Sequence, residues 1–233
     1  MKLIVIDNGF CTDQGHHYAM NEFISHQAKE HQYKSIVIGP KDYDIGMQKG
    51  MFRKPSFLFR PVLSDSGYAY AIDHRNASRD WFLLKMAQFV NNNMNIASEL
   101  QQVIPIHKLS DGDMILVHTA FLPSILGIAN WLKTTRLPKI QVRLVFRFPP
   151  WFYQVHKELS ELLFQEALSV WEEVSADVIW FTDVEEYSTY IRNRTHLPVY
   201  TTPIFTGAAS HSALGARLSF VAIAAATCTS LLT

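Results

Sequence analysis

Short runs of nearly continuous apolar residues alternate along this chain with longer amphipathic stretches, and that rhythm restricts the fold more than any other feature. Lys2-Leu-Ile-Val-Ile-Asp7, Ser35-Ile-Val-Ile-Gly39, Asp113-Met-Ile-Leu-Val-His118, Val142-Arg-Leu-Val-Phe146 and Asp177-Val-Ile-Trp-Phe181 each have the length and β-branched content of a strand. Strands that are apolar on both faces are buried on both faces, and the stretches between them are long enough for parallel crossovers. The pattern predicts an α/β fold: a doubly wound, Rossmann-like parallel sheet with these strands side by side and helices on both faces.

Apolar spacing places helices at about 17–31, 78–102, 122–133, 153–173 and 183–194, followed by a short strand at Pro198-Val-Tyr200. The helix over 78–102 is expected to kink or break at Asn91-Asn-Asn93, because asparagine is a poor helix former. Residues 41–77 read as an irregular meander with one strand between Pro55 and Pro61. From residue 206 the character changes: 206–233 carry one charged side chain, Arg217, among Ala, Ser, Thr, Leu and Gly. The expected organisation is one Rossmann-like domain over 1–205 and an atypical apolar tail over 206–233. Such a tail lacks a core of its own, and self-association through it is an expected consequence.

With 233 residues, 48% of them hydrophobic, the chain can bury a full core. Its 21 basic and 21 acidic residues cancel, so no global field recruits a nucleic-acid backbone, and no nucleic-acid partner is expected. Cys11 and Cys228 have neither metal-site spacing nor disulfide-scaffold density and read as free thiols in a reducing compartment. The opening apolar run is too short for a signal peptide, and no apolar run is long enough to span a bilayer. The expected location is the cytoplasm. Phe52-Arg-Lys-Pro-Ser-Phe-Leu-Phe-Arg60 mixes bases with aromatics, which leaves peripheral contact at the inner membrane face open, although a half-buried strand is the favoured reading.

Chemistry is expected where strands end. After the first strand, Asn8-Gly-Phe-Cys-Thr-Asp-Gln-Gly-His-His-Tyr18 forms a loop in which Gly9 and Gly15 are free to take positive φ. The helix that follows aims its unpaired N–H groups at the same edge, where they suit an anionic or hydroxyl-rich group. Without Gly-x-Gly-x-x-Gly the loop is no dinucleotide fingerprint. His118 closes the third strand and Arg147-Phe-Pro-Pro150 follows the fourth, so Gly15, His16, His17, His118 and Arg147 are expected to border one groove on the carboxyl edge of the sheet. Each has a plainer alternative. His118 could be satisfied by a neighbouring loop carbonyl, and Arg147 could pair with Glu158, Glu161 or Asp183. No metal site is expected from His16 and His17, since adjacent side chains seldom converge and no carboxylate cluster accompanies them. Walker, Gly-x-Ser-x-Gly, Cys-x-x-Cys and His-Glu-x-x-His motifs do not occur.

In four places the chain resembles the amino-terminal half of a retaining glycosyltransferase of the GT-B fold, of the group 1/family 4 kind. These are the opening strand with its Asp13-Gln-Gly-His-His-Tyr18 loop, Ile115-Leu-Val-His118-Thr, Leu144-Val-Phe-Arg-Phe-Pro-Pro150, and Trp180-Phe-Thr-Asp183 leading into Leu197-Pro-Val and Pro203-Ile. The resemblance covers roughly residues 1–205. It implies that this domain holds the acceptor, that the Gly15 loop lies near donor diphosphate and acceptor, that His118 is catalytic and contacts the transferred sugar, and that Arg147 lines the cleft. It implies a nucleotide-sugar as donor substrate, a glycan or lipid-linked acceptor as partner, and neither metal nor other cofactor. The family's second domain, which holds the donor, has no counterpart here beyond Arg217-Leu-Ser-Phe-Val-Ala-Ile223, which looks like its first strand. The chain alone is therefore expected to be inactive. A non-catalytic Rossmann-like binding module is the alternative, and a flavodoxin-like domain a third reading.

Overall fold

In the computed structural model, the described residues are 1–64, 79–104, 108–120, 122–134, 138–147, 149 and 157–202. They form a seven-stranded, all-parallel sheet with helices on both faces, as the alternating pattern predicts. The elements are β1 (Lys2–Ile6), α1 (His16–Glu30), β2 (Lys34–Pro40), α2 (Lys41–Gln48), β3 (Phe59–Leu63), α3 (Arg79–Val103), β4 (Met114–Ala120), α4 (Leu122–Lys133), β5 (Gln141–Phe146), α5 (Lys157–Glu172), β6 (Asp177–Thr182), α6 (Glu185–Arg192) and β7 (Val199–Thr201). The strand order is β3-β2-β1-β4-β5-β6-β7. The chain grows outward from β1 through β2 to β3, then crosses back to set β4 on the other side of β1. That reversal opens a crevice between the loops after β1 and β4.

Strand parity divides the core. Leu3 and Val5 of β1 and Met114 and Leu116 of β4 pack with Tyr18, Ile24 and Ala28 of α1 and Tyr43 of α2. Ile4 and Ile6, with Ile115 and Val117, face Ile96, Leu100, Ile125, Ile128 and Trp131 of α3 and α4. At the amino end of β5, the fully buried Arg143 donates from Nη2 to Asp177 Oδ2 and from Nη1 to the Asp177 carbonyl, 2.7 Å each, and ties β5 to β6.

Three expectations need correction. The described part of the expected meander, 41–64, is less irregular than its sequence suggests, because α2 follows β2 directly; eight residues containing Gly46 carry too little periodicity to reveal a helix. No break interrupts α3 at Asn91-Asn-Asn93. Asn92 and Asn93 are buried, and Asn93 Oδ1 accepts a 2.9 Å hydrogen bond from the backbone N–H of Gly127 in α4, so tertiary contact overrides propensity. Gly9, finally, does not have positive φ, whereas Gly15 does, at 84°. In the Phe52–Arg60 segment, Phe57 and Phe59 are buried against Phe10, but the strand expected there, between Pro55 and Pro61, begins only at Phe59 and runs through Pro61 to Leu63. The apolar tail over 206–233 lies outside the described residues, as do Phe148 and Pro150. No described helix is long and apolar enough to cross a membrane.

Candidate functional site

The site grows from the carboxyl end of β1. The parity that buries Leu3 and Val5 on the α1 side carries Asp7 to the same side, and on the neighbouring strand the parity of Met114 and Leu116 carries His118. Asp7 is fully buried, and burying a carboxylate is costly unless its oxygens are satisfied. Four donors satisfy them. Oδ1 accepts from the Gly9 backbone N–H at 3.0 Å and from His17 Nδ1 at 2.8 Å. Oδ2 accepts from Asn21 Nδ2 at 2.7 Å and from His118 Nε2 at 3.0 Å.

These partners fix the tautomers. Burial pushes the Asp7 carboxyl upward, but the charges and hydrogen bonds of His118 and His17 outweigh it and hold the group well below the usual aspartate range. The carboxylate can only accept, so His17 carries its proton on Nδ1 and His118 on Nε2. The His118 Nε2–H is shared with Asn21 Oδ1 at 3.1 Å, and His118 Nδ1 accepts from the Thr119 hydroxyl at 3.1 Å. The two rings stand 5.6 Å apart, centroid to centroid.

Two glycines shape the approach for different reasons. A Cβ on Gly9 would lie 2.2 Å from His17 Cε1 and 2.5 Å from Nε2, so position 9 must be bare for the imidazole to lie against the backbone. Gly15 has open space around its Cα; its φ of 84° at the N-cap of α1 is what calls for glycine. Beyond them lies a cavity of about 190 Å³ lined by Gly9, Cys11, Thr12, Gln14, Gly15, His16 and His17. The His16 ring lies against that of His17, tilted by 39° with centroids 4.1 Å apart. Desolvation, followed by the charges of His17, Arg147 and His118, pushes the His16 imidazole down to about 4, so it is neutral at physiological pH.

The five residues expected at the groove are thus placed in layers. Gly15, His16 and His17 line the cavity. His118 stands behind His17, 4% exposed, with both ring nitrogens engaged. Arg147 lies close enough to His16 to act on its charge, and it pairs with Asp183, Nε to Oδ2 at 3.9 Å, one of the acids named from sequence. Asp7 and Asn21 were missed as site residues. The signal for Asp7 was present in strand parity, since an aspartate ending an apolar strand on a core-facing position needs partners. Comparison of the chain with protein-family models, with curated proteins and with solved structures returns no match.

Proposed function

We propose that this domain holds a polyhydroxylated ligand in the cavity beside Gly15 and is the acceptor-binding half of a GT-B glycosyltransferase. In its full-length form that enzyme moves a sugar from a nucleotide-sugar to a glycan or lipid-linked acceptor. The observation that carries the reading is the pair of imidazoles on the cavity wall: His16, neutral, and His17, oriented from behind by the buried Asp7. Imidazoles exchange hydrogen bonds with hydroxyl groups, and the neutral His16 offers a phosphate no charge at this wall. In this reading His17 meets the ligand, while His118 is a positioning residue that acts through Asp7 and Asn21. Arg147, paired with Asp183 and near enough to His16 to act on its charge, would in this reading meet an anionic group brought by the donor.

Transfer also needs charge stabilisation on the departing diphosphate, which in this reading comes from the second domain. The domain by itself orients the acceptor and turns nothing over. The test is a titration of the uniformly ¹⁵N-labelled chain with methyl hexopyranosides and, separately, with a uridine diphosphate hexose, alongside a transfer assay. Glycosides should shift the amide resonances of Gly15, His16 and His17, and His17→Ala should abolish those shifts while the remaining spectrum stays folded. Absence of any response to the glycosides, or micromolar binding of the nucleotide-sugar with turnover by this chain, would sink the reading.

A further inference from the structure

The same cluster contains a donor set that the hydroxyl-binding role does not require. Asp7, His17 and His118 come from three separate elements, all are buried, and one ligand-type atom from each lies within 4.8 Å of the other two. We propose that these three residues form a binding site for one divalent transition ion of the zinc class. The sequence reading set a metal aside because His16 and His17 are adjacent and lack a carboxylate. The fold answers both objections, since it separates His17 from His16 in role and brings Asp7 and His118 to it.

The geometry suits such an ion. Nitrogen and oxygen ligands bind zinc at about 2.0–2.2 Å, which puts neighbouring ligand atoms of a tetrahedral site roughly 3.3–3.6 Å apart. His17 Nδ1 and Asp7 Oδ1 are 2.8 Å apart, His118 Nε2 and Asp7 Oδ2 are 3.0 Å apart, and the three ligand atoms lie within 4.8 Å of one another, so the two imidazoles would turn from separate carboxylate oxygens toward one shared ion. A set of two imidazoles and one carboxylate fits zinc and its first-row neighbours and is a poor match for calcium or magnesium, which prefer all-oxygen shells. Of the three, His17 also lines the 190 Å³ cavity, so the donor set lies directly behind that wall.

The surroundings already resemble the outer shell of a metal site. Ligating histidines usually donate their second nitrogen to a fixed acceptor, and here the Thr119 hydroxyl lies 3.1 Å from His118 Nδ1. Gly9 N–H and Asn21 Nδ2 hold the Asp7 carboxylate independently of either imidazole. A ring that carries one proton loads the ion by a change of tautomer and keeps that proton. His17 moves its proton from Nδ1 to Nε2, His118 moves its proton from Nε2 to Nδ1, and Thr119 turns from donor to acceptor. Each imidazole then presents a lone pair where it had presented N–H.

This inference stands apart from the glycosyltransferase reading, because a sugar-binding cavity does not need the ion and the ion does not need a sugar. The untagged chain, dialysed against chelator, is titrated with Zn²⁺ by calorimetry and with Co²⁺ by visible absorption. Imidazole tautomers are read from ¹⁵N–¹H correlations of the side chains in the same samples. One saturable Zn²⁺ per chain is expected, with a Co²⁺ ligand-field band and with His17 and His118 both switched to the opposite tautomer. Asn21→Ala and Thr119→Val should weaken binding by about 10–100-fold, and His17→Gln should abolish it. Should His17→Gln fail to fold, the tautomer switch in the unaltered chain decides alone. Unchanged tautomers with excess Zn²⁺, or saturable binding that survives in folded His17→Gln, overturns the proposal.

Discussion

Asp7 shows how much a single buried charge can organise. Its two oxygens accept from the backbone of its own loop, from the first and second turns of α1, and from the end of β4. Replacing it with alanine strands these donors in a dry environment, and removal of one partner from a buried ionic network typically costs about 3–5 kcal/mol. Asp7→Ala should therefore lower the unfolding free energy in urea by that order, and Asp7→Asn by less, since the amide keeps one acceptor oxygen. A loss below about 1 kcal/mol for Asp7→Ala would mean that the network contributes little to stability. At this scale the sequence was partly legible. The loop histidines and His118 could be placed by their positions at strand ends. The residue that joins them was hidden because Asp7 reads, in one dimension, as the point where an apolar strand meets water. Gly9 was misjudged for a related reason: whether a glycine is needed for its φ or for its missing Cβ depends on what lies across from it, here the ring of His17.

Among the elements, the α3–α4 contact shows tertiary structure overruling local preference. The run Asn91-Asn-Asn93 sits inside an unbroken helix because Asn93 finds a backbone donor at Gly127, and Gly127 in turn allows the helices to approach. A Cβ at 127 would lie 2.5 Å from the Asn93 carbonyl oxygen and 3.1 Å from its Cα, so the two backbones would have to part. Helix propensity alone favours alanine over glycine by about 1 kcal/mol, whereas overpacking of this kind costs about 1–3 kcal/mol. Gly127→Ala should thus lower the thermal midpoint, and a rise would show that propensity wins. Strands were easier to read than helix limits. Their apolar runs are short and bounded by Gly, Pro or charge, and even the three-residue β7 pairs in parallel with β6. In α2, Gly46 marks where the ring of Phe52 packs; a Cβ there would lie 2.1 Å from it, a relation that periodicity cannot express.

For the molecule as a whole, the alternating pattern determines the parallel sheet, while burial determines the acid response. The neutral form of His16 is favoured in the fold, with its pKa at about 4 against an ordinary value of 6.5. The unfolded chain takes up that proton first, so stability is full above about pH 6.5, declines as the pH falls toward 4, and levels off below. Asp7 acts in a more acidic window: its contribution is present above the ordinary aspartate range and is lost as the pH drops through its lowered value. Urea midpoints measured from pH 7 to 3 should show both losses, and His16→Gln should flatten the slope between 6.5 and 4 while leaving the more acidic loss in place. A slope unchanged by His16→Gln would assign the first loss to another group.

The single carboxylate shared by two rings has a consequence for how two elements behave. One ring belongs to the first turn of α1 and the other to the end of β4, and each holds a different oxygen of the same acid. Whatever draws electron density from one oxygen leaves the other a poorer acceptor, so the strength of the bond at His17 and that of the bond at His118 are not independent. The start of α1 and the end of β4 are in this sense held by one knot rather than two.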